Sequence, residues 1–114
     1  MMYIDFEAGN KAYKLRLSTR AIVALEKKIG CNPLSIFGVD GEQIPTVTTM
    51  VCILHSSLQK YHHDITEAKA MDIFDEWLEE GHTSTEFVNI ILDIYKASGI
   101  VPKEINEEDT EKNE

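Results

Sequence analysis

Tyr3-Ile4-Asp5-Phe6-Glu7-Ala8-Gly9-Asn10-Lys11-Ala12-Tyr13-Lys14-Leu15-Arg16-Leu17 is the stretch that sets the fold class. Ile4 and Phe6 alternate with Tyr3, Asp5 and Glu7, and Tyr13, Leu15 and Leu17 alternate with Lys14 and Arg16. Alternation with a period of two gives each segment one apolar and one polar face, as a half-buried strand requires. Gly9 and Asn10 between them tolerate the positive φ of a tight hairpin turn. Acids lie on the first segment and bases on the second, so Asp5 and Glu7 are expected to face Lys14 and Arg16. A hairpin over residues 3–17 is marginal alone and must pack on something.

Beyond Leu17 the chain reads as helix. Ser18 or Thr19 caps a helix over residues 19–29, in which Ile22, Leu25 and Ile29 recur at helical spacing and which Gly30 ends. Asn32-Pro33 opens a short helical turn over 33–37. A loop with two glycines and a proline leads to a helix over 46–62, whose stripe is Val47, Met50, Val51, Leu54, Leu58 and Tyr61. No charge appears in it before Lys60, so it is expected at the centre, covered on several sides. Asp64-Ile65-Thr66-Glu67 has capping-box spacing and opens a helix over 66–80. Its apolar face is Ala70, Ile73, Phe74, Trp77 and Leu78, with Asp72, Asp75, Glu76, Glu79 and Glu80 on the other side. Thr83-Ser84-Thr85-Glu86 is a second capping box, opening a helix over 84–98 that Gly99 ends and Pro102 keeps from restarting. The expected fold is α+β, mainly α: an N-terminal β-hairpin packed on a bundle of about four helices plus a short helical turn.

The 114 residues suit one domain. Residues 1–102 form it, and 103–114 follow as an acidic disordered tail. That tail holds six acids against two bases and one apolar residue, too little to fold alone. A net charge of −9 repels phosphate and argues against nucleic acid and anionic membrane surfaces as partners. Arg20, Lys27 and Lys28 cluster, but Glu26 sits among them. The longest uncharged run, Gln43 to Gln59, holds three threonines, His55, Ser56 and Ser57, and is a poor spanning helix. The N-terminus has neither a basic region nor an apolar signal core, so nothing marks the chain for export. Cys31 and Cys52 have no framework spacing and read as reduced thiols in a cytosolic protein.

Catalytic and metal motifs do not emerge. The sequence has no glycine-rich phosphate loop, serine elbow, zinc-protease motif or paired-cysteine site. Adjacent His62 and His63 diverge by roughly 100° on a helix, and His55 lies about 10 Å from His62 along the axis, so neither pair readily grips one ion. Nothing in the spacing makes Cys31 a nucleophile with a histidine base. No catalytic residue, cofactor or metal is therefore expected, and the chain reads as a binding or assembly protein rather than an enzyme.

The last helix stands out. Its apolar positions cover roughly 220° of its circumference, from Ala97 and Ile90 round to Leu92, about twice what a surface helix needs. Either it is buried on two sides or one edge meets another chain. The second is favoured in so small a domain, with Val88 and Leu92 on one edge and Ile90 on the other as candidate partner or self-association residues.

Tyr13-Lys14-Leu15-Arg16-Leu17 running into Ser18-Thr19-Arg20 and on through Leu25-Glu26-Lys27-Lys28-Ile29-Gly30 to Asn32-Pro33 and Phe37 also carries a resemblance. It resembles the opening of tail assembly chaperones of long, non-contractile-tailed phages and prophages of Gram-positive bacteria. Their pattern is a strand pair, a helix ending Leu-Glu-x-x-x-Gly, a short helical turn, two or three more helices and an acidic tail. Leu25, Glu26 and Gly30 stand at the matching places, and the order of elements matches over about residues 3–102. The resemblance implies a non-enzymatic protein of the infected bacterial cytoplasm that coats the tape-measure protein, self-associates, helps recruit tail-tube protein and is absent from the mature virion. It marks no residue as a binding residue. The alternative is a small phage or bacterial adaptor or regulatory protein working through one helix groove.

Overall fold

The structure, a computed structural model, describes residues 2–102; the tail expected over 103–114 lies outside the described residues. Strands β1 (Ile4–Ala8) and β2 (Lys11–Leu15) pair antiparallel. Gly9 and Asn10 take φ of 59° and 66°, the double positive φ of a two-residue turn whose twist suits the strands. At Gly9 this conformation is the main demand for glycine. Its N–H donates to Glu80 Oε2 at 2.7 Å, tying the turn to the third long helix.

The turn sets a register in which Asp5 faces Lys14 but Glu7 faces Ala12. The expected facing of Asp5 and Glu7 on Lys14 and Arg16 is therefore corrected to the single pair Asp5–Lys14: Arg16 lies past the ladder, and its guanidinium donates to the carbonyls of Met2 and Ala97. Alternation holds elsewhere. Phe6, Ala8, Tyr13, Leu15 and Leu17 are buried on one face.

Helix α1 (Thr19–Ile29) has the predicted bounds. Ser18 Oγ accepts from the Ala21 N–H at 3.1 Å, and Gly30, at φ 77°, donates back to the Glu26 carbonyl. A 3₁₀ turn, Pro33–Phe37, follows, capped by Asn32. Helix α2 (Val47–Leu58) stops four residues short of the expected 62. Gln59 folds back there, donating through Nε2 to the carbonyls of His55 and Ile65, and His62 turns outward to accept from the Lys14 N–H at 3.0 Å. Competing partners outside the helix end it, and periodicity alone does not reveal them.

Helix α3 (Glu67–Glu79) is capped by Thr66, which accepts from the Lys69 N–H. The expected capping box from Asp64 to Glu67 is thus corrected: Glu67 pairs with Lys28 instead of folding back. The second box does form. Thr83 and Glu86 exchange both bonds, but they close a 3₁₀ turn (Ser84–Glu86) that leads into α4 (Phe87–Ala97), so the expected helix over 84–98 is α-helical only from Phe87.

The result is α+β and mainly α. Helix α2 lies at the centre, packed against α1, α3, α4 and β2, with Met50 to Leu54 and Ser56 to Leu58 buried. Against the hairpin, Phe6, Phe74, Trp77 and Phe87 form an aromatic cluster with ring centroids 5.2–6.1 Å apart, joining β1, α3 and α4. Tyr95, fully buried, donates its hydroxyl to the Pro33 carbonyl at 2.9 Å, and burial pushes its phenol pKa upward. It stays a neutral donor and fastens the 3₁₀ turn to α4.

Candidate functional site

The charge-poor sequence that centres α2 also leaves its first turns without a charged screen. Val47 and Val51 lie four apart, hence on one side of the helix. Met71, Phe74 and Leu78 form a matching edge on α3 at spacings of three and four. Between these edges runs an open groove of about 460 Å³. Val51 and Phe74 form its floor at 7% and 3% exposure, while Val47 and Met71 stand on its lips at 50% and 52%. Glu67, Asp72 and Asp75 border it, so the groove is apolar within and acidic at the rim.

Glu67 is already engaged. Its Oε1 takes the Lys28 ammonium, and its Oε2 lies 3.9 Å from Cys52 Sγ. The Lys28 hydrogen bond holds the Glu67 carboxyl below its ordinary value, and the Glu67 bond raises the Lys28 ammonium in turn. Burial pushes the Cys52 thiol up. Both charges are solvent-accessible, so salt screens the pair.

The depressed carboxyl has a consequence for stability. Its contribution is complete above the ordinary value of 4.5 and is lost as pH falls through the lowered folded value. The thermal midpoint should therefore fall with acidification below about pH 4.5, and Lys28→Met should make that fall shallower. Melting curves across an acid series of the two proteins check this.

Val88, Ile90 and Leu92 are all half-buried on α4. Val88 and Ile90 pack against the core, beside the fully buried Phe87, Ile91, Ile94 and Tyr95. The structure does not bring these three to the groove. Among the described residues the large apolar side chains most open to water are elsewhere, at Met2, Val23, Leu34, Val39, Ile44, Val47 and Met71. Sequence reasoning did not single out Met71 and placed Val47 on the apolar stripe of the central helix, where it stands half open to water. The signal for the first was present: Met71 extends the Phe74–Leu78 edge one turn beyond the face read from periodicity.

The histidines and cysteines do not converge. His62 packs edge-on to Tyr13 and His82 stacks on Trp77 at 4.5 Å. Cys31 is exposed and Cys52 buried, both as free thiols. Among the described residues no three His, Cys, Asp or Glu side chains are placed to hold a metal, and no helix is long and apolar enough to cross a membrane.

Residues 4–114 match a family of unknown function, DUF6096. The chain belongs to that family. No curated protein and no solved structure matches it. The DUF6096 match runs through the acidic residues 103–114 as well as the fold.

Proposed function

We propose that this DUF6096 protein is a non-enzymatic phage tail assembly chaperone that holds an amphipathic segment of the tape-measure protein in the α2–α3 groove. The observation that carries the reading is the groove: an open apolar cleft between two helices, with exposed Val47 and Met71 at its lips and acids at its rim. A groove of that kind takes the apolar face of a helix, with anchors at spacings of three, four and seven residues. A long helical tape-measure protein presents such faces repeatedly and needs them covered until tail-tube subunits enclose it.

The remaining features support the same role. The hairpin, the Leu25-Glu26…Gly30 helix end and the short turn after it follow the order of elements of those chaperones. The −9 net charge keeps a many-copy complex soluble. On this reading the protein self-associates along its partner, helps recruit tail-tube protein, acts in the cytoplasm of the bacterial host and does not remain in the finished virion.

Co-expression tests it. The tape-measure protein from the same gene cluster should become soluble and co-elute with this chain. A tape-measure protein that stays insoluble or elutes alone removes the proposal and leaves a helix-groove adaptor for another partner. Gene order is a second check, since a tail-tube gene should lie just upstream and a very long tape-measure gene just downstream.

A further inference from the structure

A second surface, between α1 and the end of α2, has a charge opposite to that of the groove's rim. Arg20, Lys27, Lys28 and Lys60 border this shallow region. These are four of the 11 Lys and Arg residues of an acidic chain. Ala21 and Ala24 keep its floor low, and the cleft they share with His55 measures about 400 Å³. Lys28 has Glu67 as its partner, whereas Arg20, Lys27 and Lys60 make no ion pair among the described residues.

The path of the chain supplies an occupant. The Leu17 N–H donates to Ser98 Oγ at 2.8 Å, and the Arg16 guanidinium donates to the Ala97 carbonyl. The end of α4 is thereby pinned beside Ser18, where α1 and the basic surface begin. Ile100 and Val101 pack against the core, so residues 103–114 start from this end of the molecule. They carry Glu104, Glu107, Glu108, Asp109, Glu111 and Glu114 against Lys103 and Lys112. Twelve residues reach up to about 40 Å when extended, and an 11-residue helix such as α1 is about 16 Å long. The segment can therefore run the length of α1.

We propose that residues 103–114 of the same chain lie along the basic surface formed by Arg20, Lys27, Lys28 and Lys60. Attachment through Pro102 makes the encounter intramolecular, with an effective concentration in the millimolar range that no free acidic peptide matches easily. Charge contacts on a shallow surface need no apolar core in the segment. They also make its docking sensitive to salt.

Amide proton–nitrogen spectra of the full chain test this. The variant Glu107→Gln/Glu108→Gln/Asp109→Asn/Glu111→Gln should shift the amides of Arg20, Ala24, Lys27, Lys28 and Lys60 and leave those of α3 in place. About 0.5 M NaCl, where the Debye length is only a few Å, should move the same amides of the unaltered chain toward the same positions. Unmoved α1 amides in the variant overturn the proposal. A nitroxide on Asn113→Cys, in a Cys31→Ser background, should broaden the α1 amides of its own chain. In an equal mixture of nitroxide-bearing chains and isotope-labelled chains without the nitroxide, the α1 amides should stay sharp. Broadening in the mixture would assign the surface to the tail of another copy and overturn the intramolecular contact.

Discussion

Phe87→Ala should lower the stability of the folded chain by about 3–5 kcal/mol, the cost of removing a fully buried aromatic ring and leaving its cavity. Phe87 is 0% exposed and touches Phe6, Phe74 and Trp77 at once, with centroid separations of 6.1, 5.2 and 5.6 Å. No single neighbour can fill the space, because Phe6 is held on β1 and Phe74 and Trp77 on α3. At about 4–8 °C per kcal/mol for a domain of this size, the thermal midpoint should drop by roughly 12–40 °C. A domain at the low end of the usual stability range, about 5 kcal/mol, would then be partly unfolded. Circular dichroism melts check it, with Val39→Ala as the surface control, expected within about 0.5 kcal/mol of the parent. A shift at Phe87 no larger than that control would mean that the aromatic cluster does not join hairpin and helices as described.

Met71→Asp should leave the fold in place and remove partner binding. Met71 is 52% exposed, so its loss forms no cavity, and the cost is confined to helix propensity and repulsion from Glu67 and Asp75. A carboxylate on the lip of an apolar groove must be desolvated by any helix that docks there. Truncating a central apolar anchor costs about 2 kcal/mol or more, roughly 30-fold in affinity. The recovery of soluble tape-measure protein in co-expression should therefore collapse with Met71→Asp, while the melting curve moves by only a few degrees. Full recovery with Met71→Asp would place the partner elsewhere on the molecule, even if the chaperone role itself stood.

The parts of this fold that were legible in the sequence are those governed by neighbours along the chain. Gly9-Asn10 reads as a tight turn because both residues accept positive φ. Ser18 and Gly30 bound α1 because their hydrogen bonds reach only three or four residues. Thr83 and Glu86 form their reciprocal cap for the same reason. Where a side chain had a choice of partners, local spacing misled. Glu67 has capping-box spacing from Asp64, but Lys28, from a different helix, takes its carboxylate. Arg16 sits on the polar side of a strand pattern, but two carbonyls beyond the ladder draw it away.

The candidate groove was half legible. Periodicity shows that Val51, Phe74 and Leu78 are apolar positions on helices, but not that the first turns of α2 and the edge of α3 stand apart by the width of a cleft. For α4 the width of the apolar arc is a property of the sequence alone. Which edges are covered depends on how closely β1, α2 and the 3₁₀ turn approach, and they leave Val88, Ile90 and Leu92 half-buried rather than open.

By itself the sequence determined the α+β class, the strand pair and its turn, the bounds of α1, the central place of an uncharged α2 and the separation of acidic from basic segments. Dihedral preference, side-chain period and charge are responsible, and they act within a few residues or along one element. Tertiary structure alone decided where α2 ends, which partner Glu67 takes, that Val47 and Met71 face water across an open groove, and that the end of α4 is pinned beside the basic start of α1. Each is the outcome of a competition between groups far apart in the chain, which only packing brings within reach of one another.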